Sequence, residues 1–61
     1  MRVTDKTPVG TKCRWLGKRY VILTNGFVDD NGEAVRIVRR LMAPQVILWV
    51  AQKELELEEG R

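Results

Sequence analysis

The chain has 61 residues and a formal net charge of +3, from eleven Lys and Arg against eight Asp and Glu. That length holds one small domain, near the lower limit at which a chain folds without a disulfide, a metal or a partner. Cys13 is the lone cysteine, so no intrachain disulfide can form, and the absence of histidine removes both a common zinc ligand and the side chain best suited to proton transfer near neutrality. No metal, cofactor or catalytic residue is expected, and the chain reads as a binding module rather than an enzyme.

Residues 1–53 carry ten Lys and Arg against four acids, a local charge of +6, whereas residues 54–61 carry four Glu against Arg61, a local charge of −3. A basic body with an acidic end suggests an anionic partner or a self-complementary contact. The N-terminal stretch has no apolar segment of signal-peptide length, and the longest apolar run, Val46 to Ala51, is too short to span a bilayer, so a cytoplasmic location is expected. Residues 1–9 read as a flexible N-terminal segment, 10–58 as the single domain and 59–61 as a C-terminal tail.

In chain order, Thr11 to Leu16 and Arg19 to Thr24 are β-rich runs around Gly17-Lys18, which suits a two-residue hairpin with glycine first. That register pairs Trp15 with Tyr20, Cys13 with Ile22 and Lys12 with Leu23. Asn31-Gly32 marks a second two-residue hairpin turn, pairing Val28 with Val35 and Ile22 with Leu41, and Glu33 to Leu41 reads as the third strand. Pro44 punctuates, Gln45 to Ala51 reads as a fourth strand, and Leu55 and Leu57 open a short fifth after a turn at Gln52-Lys53. A competing reading treats Asp30-x-x-Glu33 as a capping box ahead of Ala34, Ile37, Val38 and Leu41 at helical spacing, which gives a β-hairpin followed by two helices. The density of valine and isoleucine favours the strand.

The resulting pattern, Trp15-x-Gly17-Lys18-x-Tyr20-x-Ile22 early and Trp49-Val50-x-x-x-Glu54-Leu55 late, resembles the small SH3-like barrels, and the resemblance implies a mostly β, five-stranded barrel. Barrels of this kind host peptide binders, nucleic-acid binders and at least one enzyme, so the resemblance implies a fold and no single function. The enzyme group is the plasmid-encoded type II dihydrofolate reductases, which line a tetrameric pore with Val-Gln-Ile-Tyr. The corresponding stretch here, Gln45-Val46-Ile47-Leu48, reverses the first two residues and lacks the tyrosine.

The two hairpin registers give a core face of Cys13, Trp15, Tyr20, Ile22, Val28, Val35, Ile37 and Leu41, with Arg39 as the discordant member. They gather Lys12, Arg14, Arg19, Arg36 and Arg40 on the opposite face around Phe27, Val21 and Leu23. Basic side chains around an exposed ring can hold phosphates and stack a base, so Lys12, Arg14, Arg19, Phe27, Arg36 and Arg40 form the candidate site for nucleic acid or another polyanion. The alternative is a solvated face whose basic side chains lay their stems over apolar surface. The fourth strand is apolar on both sides, which points to a protein partner or self-association through Val46, Leu48, Trp49 and Val50. Trp15 and Trp49 are otherwise expected to fill the core. Cys13 reads as a buried structural thiol, and Asp29 and Asp30 as turn formers.

Overall fold

The computed structural model describes residues 2–58. Their architecture is mostly β: strands β1 (Lys12–Trp15), β2 (Lys18–Ile22), β3 (Phe27–Val28), β4 (Ala34–Arg40), β5 (Ile47–Ala51) and β6 (Glu56–Leu57), with a 3-10 turn at Gln52–Glu54 between the last two. No helix among the described residues is long and apolar enough to cross a membrane. Ala34–Arg40 is extended, so the capping-box alternative with its two helices is not what forms.

All six strands belong to one antiparallel sheet. β5 runs along one edge of β4, pairing Val35 with Ala51 through to Arg39 with Ile47, so β2 and β3 share the other edge. β1 lies between β2 and β6. The sheet is not closed, because β5 pairs with β4 and β6 with β1 while no ladder joins β5 to β6. Six strands stand where five were expected because the second run is interrupted. Between the pairs Ile22 with Val38 and Phe27 with Val35, one strand spends two residues more than its partner: Leu23 N still donates to Ile37 O, and Thr24 to Gly26 leave the ladder.

Both hairpins form, and both registers differ from the expected ones. The first loop is Leu16-Gly17, with φ of 51° and 78°, and it pairs Trp15 with Lys18 and Cys13 with Tyr20. Two consecutive residues at positive φ define a type I′ turn, whose twist matches that of the flanking strands. The slip relative to the expected pairing is two residues, so every side chain keeps its face.

The second loop has three residues, Asp30-Asn31-Gly32, rather than two. Asp29 Oδ1 accepts hydrogen bonds from the backbone N–H groups of Asn31 and Glu33, both at 2.9 Å, and the Asp29 N–H donates to Glu33 O. Gly32 takes the left-handed position, φ 79°, that ends such a loop. An odd number of extra residues reverses the parity of everything downstream. β4 is therefore turned over: Arg36, Val38 and Arg40 share the face of Tyr20 and Ile22, while Val35, Ile37 and Arg39 share the face of Phe27 and Val21.

The core collects Val3, Cys13, Tyr20, Ile22, Val38, Val50 and Leu55, with Trp15, Leu48 and Leu57 packed against it. Complete burial of Ile22 and Leu55 contributes roughly 1.5–3 kcal/mol each. Trp15 and Tyr20 meet edge to face at 6.1 Å. Four members of the expected core lie outside that cluster: Val28 is exposed at the sheet edge, Val35 is buried but on the opposite face, Ile37 shares that face, and Leu41 is only half-buried. The N-terminal segment packs on the domain, with Val3 buried in the core and its N–H donating to Leu55 O. Residues 59–61, read as a tail, lie outside the described residues.

Candidate nucleic-acid interface

The outer face of the sheet divides into two halves. Across β3, β4 and β5 run the rows Phe27–Val35–Ala51 and Leu23–Ile37–Trp49, which are apolar throughout. Across β1, β2, β4 and β5 runs Lys12–Val21–Arg39–Ile47, and beside it Arg14 pairs with Arg19. Side chains that are directly opposite in such rows share one face and lie within contact range.

Trp49 is the most distinctive residue of the apolar half. It sits between Leu48 and the buried Val50, yet 69% of it is exposed, so its ring is not core as expected. Phe27 meets it edge to face with ring centroids 5.5 Å apart, and this contact props the indole on the sheet surface. Ile47 is exposed on the same side. The expected protein interface thus splits between faces: Leu48 and Val50 pack inward, Val46 shares their parity, and Trp49 faces outward.

The basic half is partly balanced by β6. The Arg19 guanidinium is bonded to the Glu58 carboxylate, which that hydrogen bond holds below the usual carboxylate range. Arg14 stands opposite Glu56. Arg39, in contrast, has Val21 and Ile47 as its cross-strand neighbours, and it lies diagonal to Trp49 at about 7–8 Å between backbones. The expected cluster is therefore brought together only in part. Lys12, Arg14, Arg19 and Phe27 share the outer face. Arg40 is opposite Tyr20 on the inner face, and Arg36 is completely buried.

Arg36 is held by four acceptors. Its Nε donates to Gln52 Oε1 at 2.8 Å, Nη1 to Thr24 O at 3.1 Å, and Nη2 to Thr4 O and Thr7 O at 2.8 and 2.9 Å. Gln52 in turn donates to Asp5 Oδ1, which brings a carboxylate to the rim of the network. A Cβ on Gly26 would stand 2.9 Å from Gln52 Oε1 and 3.3 Å from Arg36 Nε, so the close passage of this loop requires glycine. Among the described residues, no buried side-chain nitrogen or oxygen lacks a partner.

Elsewhere the chemistry is sparse. Burial pushes the Cys13 thiol up to about 11, with nearby Glu58 adding to the effect, which keeps it protonated and poorly nucleophilic at neutral pH. A shallow concavity of about 450 Å³ beside the first hairpin mixes Arg14 with Glu54 and Glu56, and Trp15 Nε1 donates to Glu54 Oε1 there at 3.0 Å. Among the described residues no cluster of three metal-ligating side chains forms.

Arg39, expected on the core face, and Trp49, expected at a protein interface or in the core, both belong to the outer face. The signal for both lay in the Asp29-to-Gly32 loop, since an aspartate that caps its own turn ahead of a left-handed glycine suits a three-residue hairpin as well as a two-residue one. Comparison of the chain with protein families, with curated proteins and with solved structures finds no match in any of the three.

Proposed function

We propose that this chain is a non-catalytic binding module of the small SH3-like barrel type, and that its outer sheet face takes single-stranded nucleic acid. The passage of β5 through a 3-10 turn into β6 beside β1 suits that fold. The observation that carries the functional reading is Trp49, an indole exposed on a sheet face, braced by Phe27 and diagonal to Arg39. A solvated tryptophan is a costly way to end a row of apolar side chains, and an unpaired base is a flat partner of the right size to cover it. Duplex hides its base faces, so single strands are the matching form. Lys12, Arg14 and Arg39 are the cations placed to meet phosphates, while Arg19 is already engaged by Glu58.

Three phosphate contacts predict a log–log salt slope of about −2 on a single-stranded homopolymer, and Arg39→Gln should bring it closer to zero by roughly 0.7. Trp49→Ala should weaken binding by about 1–3 kcal/mol and leave that slope unchanged. Titration of a deoxythymidine oligomer, followed by anisotropy at several salt concentrations, separates the two effects. Binding that is absent at low salt, or indifferent to Trp49→Ala, rejects the reading.

A further inference from the structure

The outer edge of β5 is open, and the pattern of its backbone groups selects a partner. Arg40 N donates to Val46 O, and in an antiparallel ladder the bonding direction alternates, so Val46, Leu48 and Val50 direct their backbone groups toward β4. Ile47, Trp49 and Ala51 therefore present N–H and C=O outward, and no described strand pairs with them. Natural edges of this kind are commonly guarded by a lysine, a proline or a bulge, whereas Ile47–Ala51 contains no charge and no proline.

The opposite end of the sheet is treated differently. β6 turns Glu56 toward β1, and its far side is covered, because Val3 N donates to Leu55 O and Arg2 bridges to Glu56. A head-to-tail contact of β5 with β6 of the next copy would have to displace that cover. A contact of β5 with β5 of a second copy displaces nothing.

The geometry points to a two-fold dimer in which β5 pairs antiparallel with β5 of a second copy, centred on Trp49. In that register Trp49 faces its own counterpart and Ile47 faces Ala51, so all three outward residues of each strand meet outward residues of the other, giving six backbone hydrogen bonds. A register one residue away pairs outward groups with inward ones and loses them. The dimer joins two sheets into one and sets the Phe27–Trp49 pairs side by side on a continuous outer face. It does not depend on nucleic-acid binding, since it rests on backbone groups alone. A standard interface of roughly 800 Å² per partner is close to a fifth of this chain's 4298 Å² surface, more than a five-residue edge covers, so association is expected to be weak and concentration-dependent.

The test uses the whole chain without nucleic acid. Sedimentation velocity up to about 1 mM should show a monomer–dimer equilibrium. A synthetic chain with the Trp49 amide N-methylated keeps every side chain and the β4 ladder, as circular dichroism would verify, and should associate at least tenfold more weakly. Single cysteines fix the register. Under mild oxidation Trp49→Cys should cross-link at least tenfold faster than Ile47→Cys, because the paired position is about 5.5 Å from its counterpart, within disulfide reach, while the two copies of position 47 are more than roughly 13 Å apart. A monomer throughout the concentration range, association unchanged by N-methylation, higher oligomers, or equal cross-linking at both positions each overturns the proposal.

Discussion

Arg36 and Arg39 stand three residues apart on one strand and have opposite fates. Arg36 points into the sheet, gives hydrogen bonds to four oxygens and is sealed from water, while Arg39 points outward between Val21 and Ile47. The two environments assign different work to the same side chain. Inside, the guanidinium is a cross-link: it ties β4 to the N-terminal segment through Thr4 and Thr7, to the segment between β2 and β3 through Thr24 and to the 3-10 turn through Gln52. Outside, it is a half-buried charge diagonal to an aromatic ring. A small domain with a single cysteine, and so without an intrachain disulfide, thus uses a buried cation as its staple, and it keeps its other face available.

The largest expected effect breaks the inner half of that contrast. Arg36→Met leaves three backbone carbonyls and the Gln52 amide without their donor, a loss of about 3–5 kcal/mol. That is close to the entire stability a core of this size supplies, so the variant should be largely unfolded at room temperature by circular dichroism. Arg39→Met should stay within about 0.5 kcal/mol of the parent in urea denaturation. Equal destabilisation by the two substitutions would remove the distinction between the faces.

A second measurement sharpens the contrast through pH. Cys13 lies on the inner face, and its thiol titrates at about 11 in the folded chain, chiefly because burial disfavours the thiolate. In the unfolded chain an ordinary cysteine titrates near 9.0. Below that value both states hold the proton and stability is unaffected. Above it the unfolded state releases the proton first, so stability falls as pH rises toward 11, by a total of about 2–3 kcal/mol. Cys13→Ala should lack this alkaline loss while keeping every other ionisable group of the chain. The readout is the difference between the urea midpoints of the two chains across pH 8 to 11. Parallel curves would place the thiol in contact with water.

How much of this contrast was legible in the sequence follows from what decides each part. The β character, the two hairpins and the inward set Cys13, Trp15, Tyr20 and Ile22 follow from alternation and turn residues, and a two-residue slip at the first turn leaves them intact. The face of β4 was not legible. Its odd positions, Val35, Ile37 and Arg39, continued by Leu41 just past the strand, form the more apolar set despite Arg39, and alternation selects them for the core. The loop before the strand decides otherwise, because three residues between Asp29 and Glu33 turn β4 over. Burying Arg36 then becomes acceptable only through Thr4, Thr7, Thr24 and Gln52, acceptors contributed by residues up to 32 positions away. No local pattern announces such a set. The exposed position of Trp49 follows from the same reversal, since β5 takes its facing from β4.

The smallest expected effect concerns a residue that neither face constrains. Leu16 sits at the tip of the first hairpin, 78% exposed, with φ of 51°. The left-handed conformation crowds the Cβ of an L residue against its own carbonyl at a cost of roughly 1–2 kcal/mol, and an exposed leucine recovers little of that through packing. The type I′ turn favours Asn-Gly at these two positions, because asparagine tolerates the conformation and its short amide bonds to the local backbone. Leu16→Asn should therefore stabilise the chain by about 1 kcal/mol and raise its melting temperature by roughly 4–8 °C. The side chain belongs to neither half of the sheet, so the gain should be the same in the Arg39→Met background and should leave oligonucleotide affinity unchanged. A gain here also fixes the loop, since in the Gly17-Lys18 turn Leu16 would be an ordinary strand residue and asparagine would weaken it. Destabilisation by Leu16→Asn would move the turn by one residue and restore the Trp15–Tyr20 pairing.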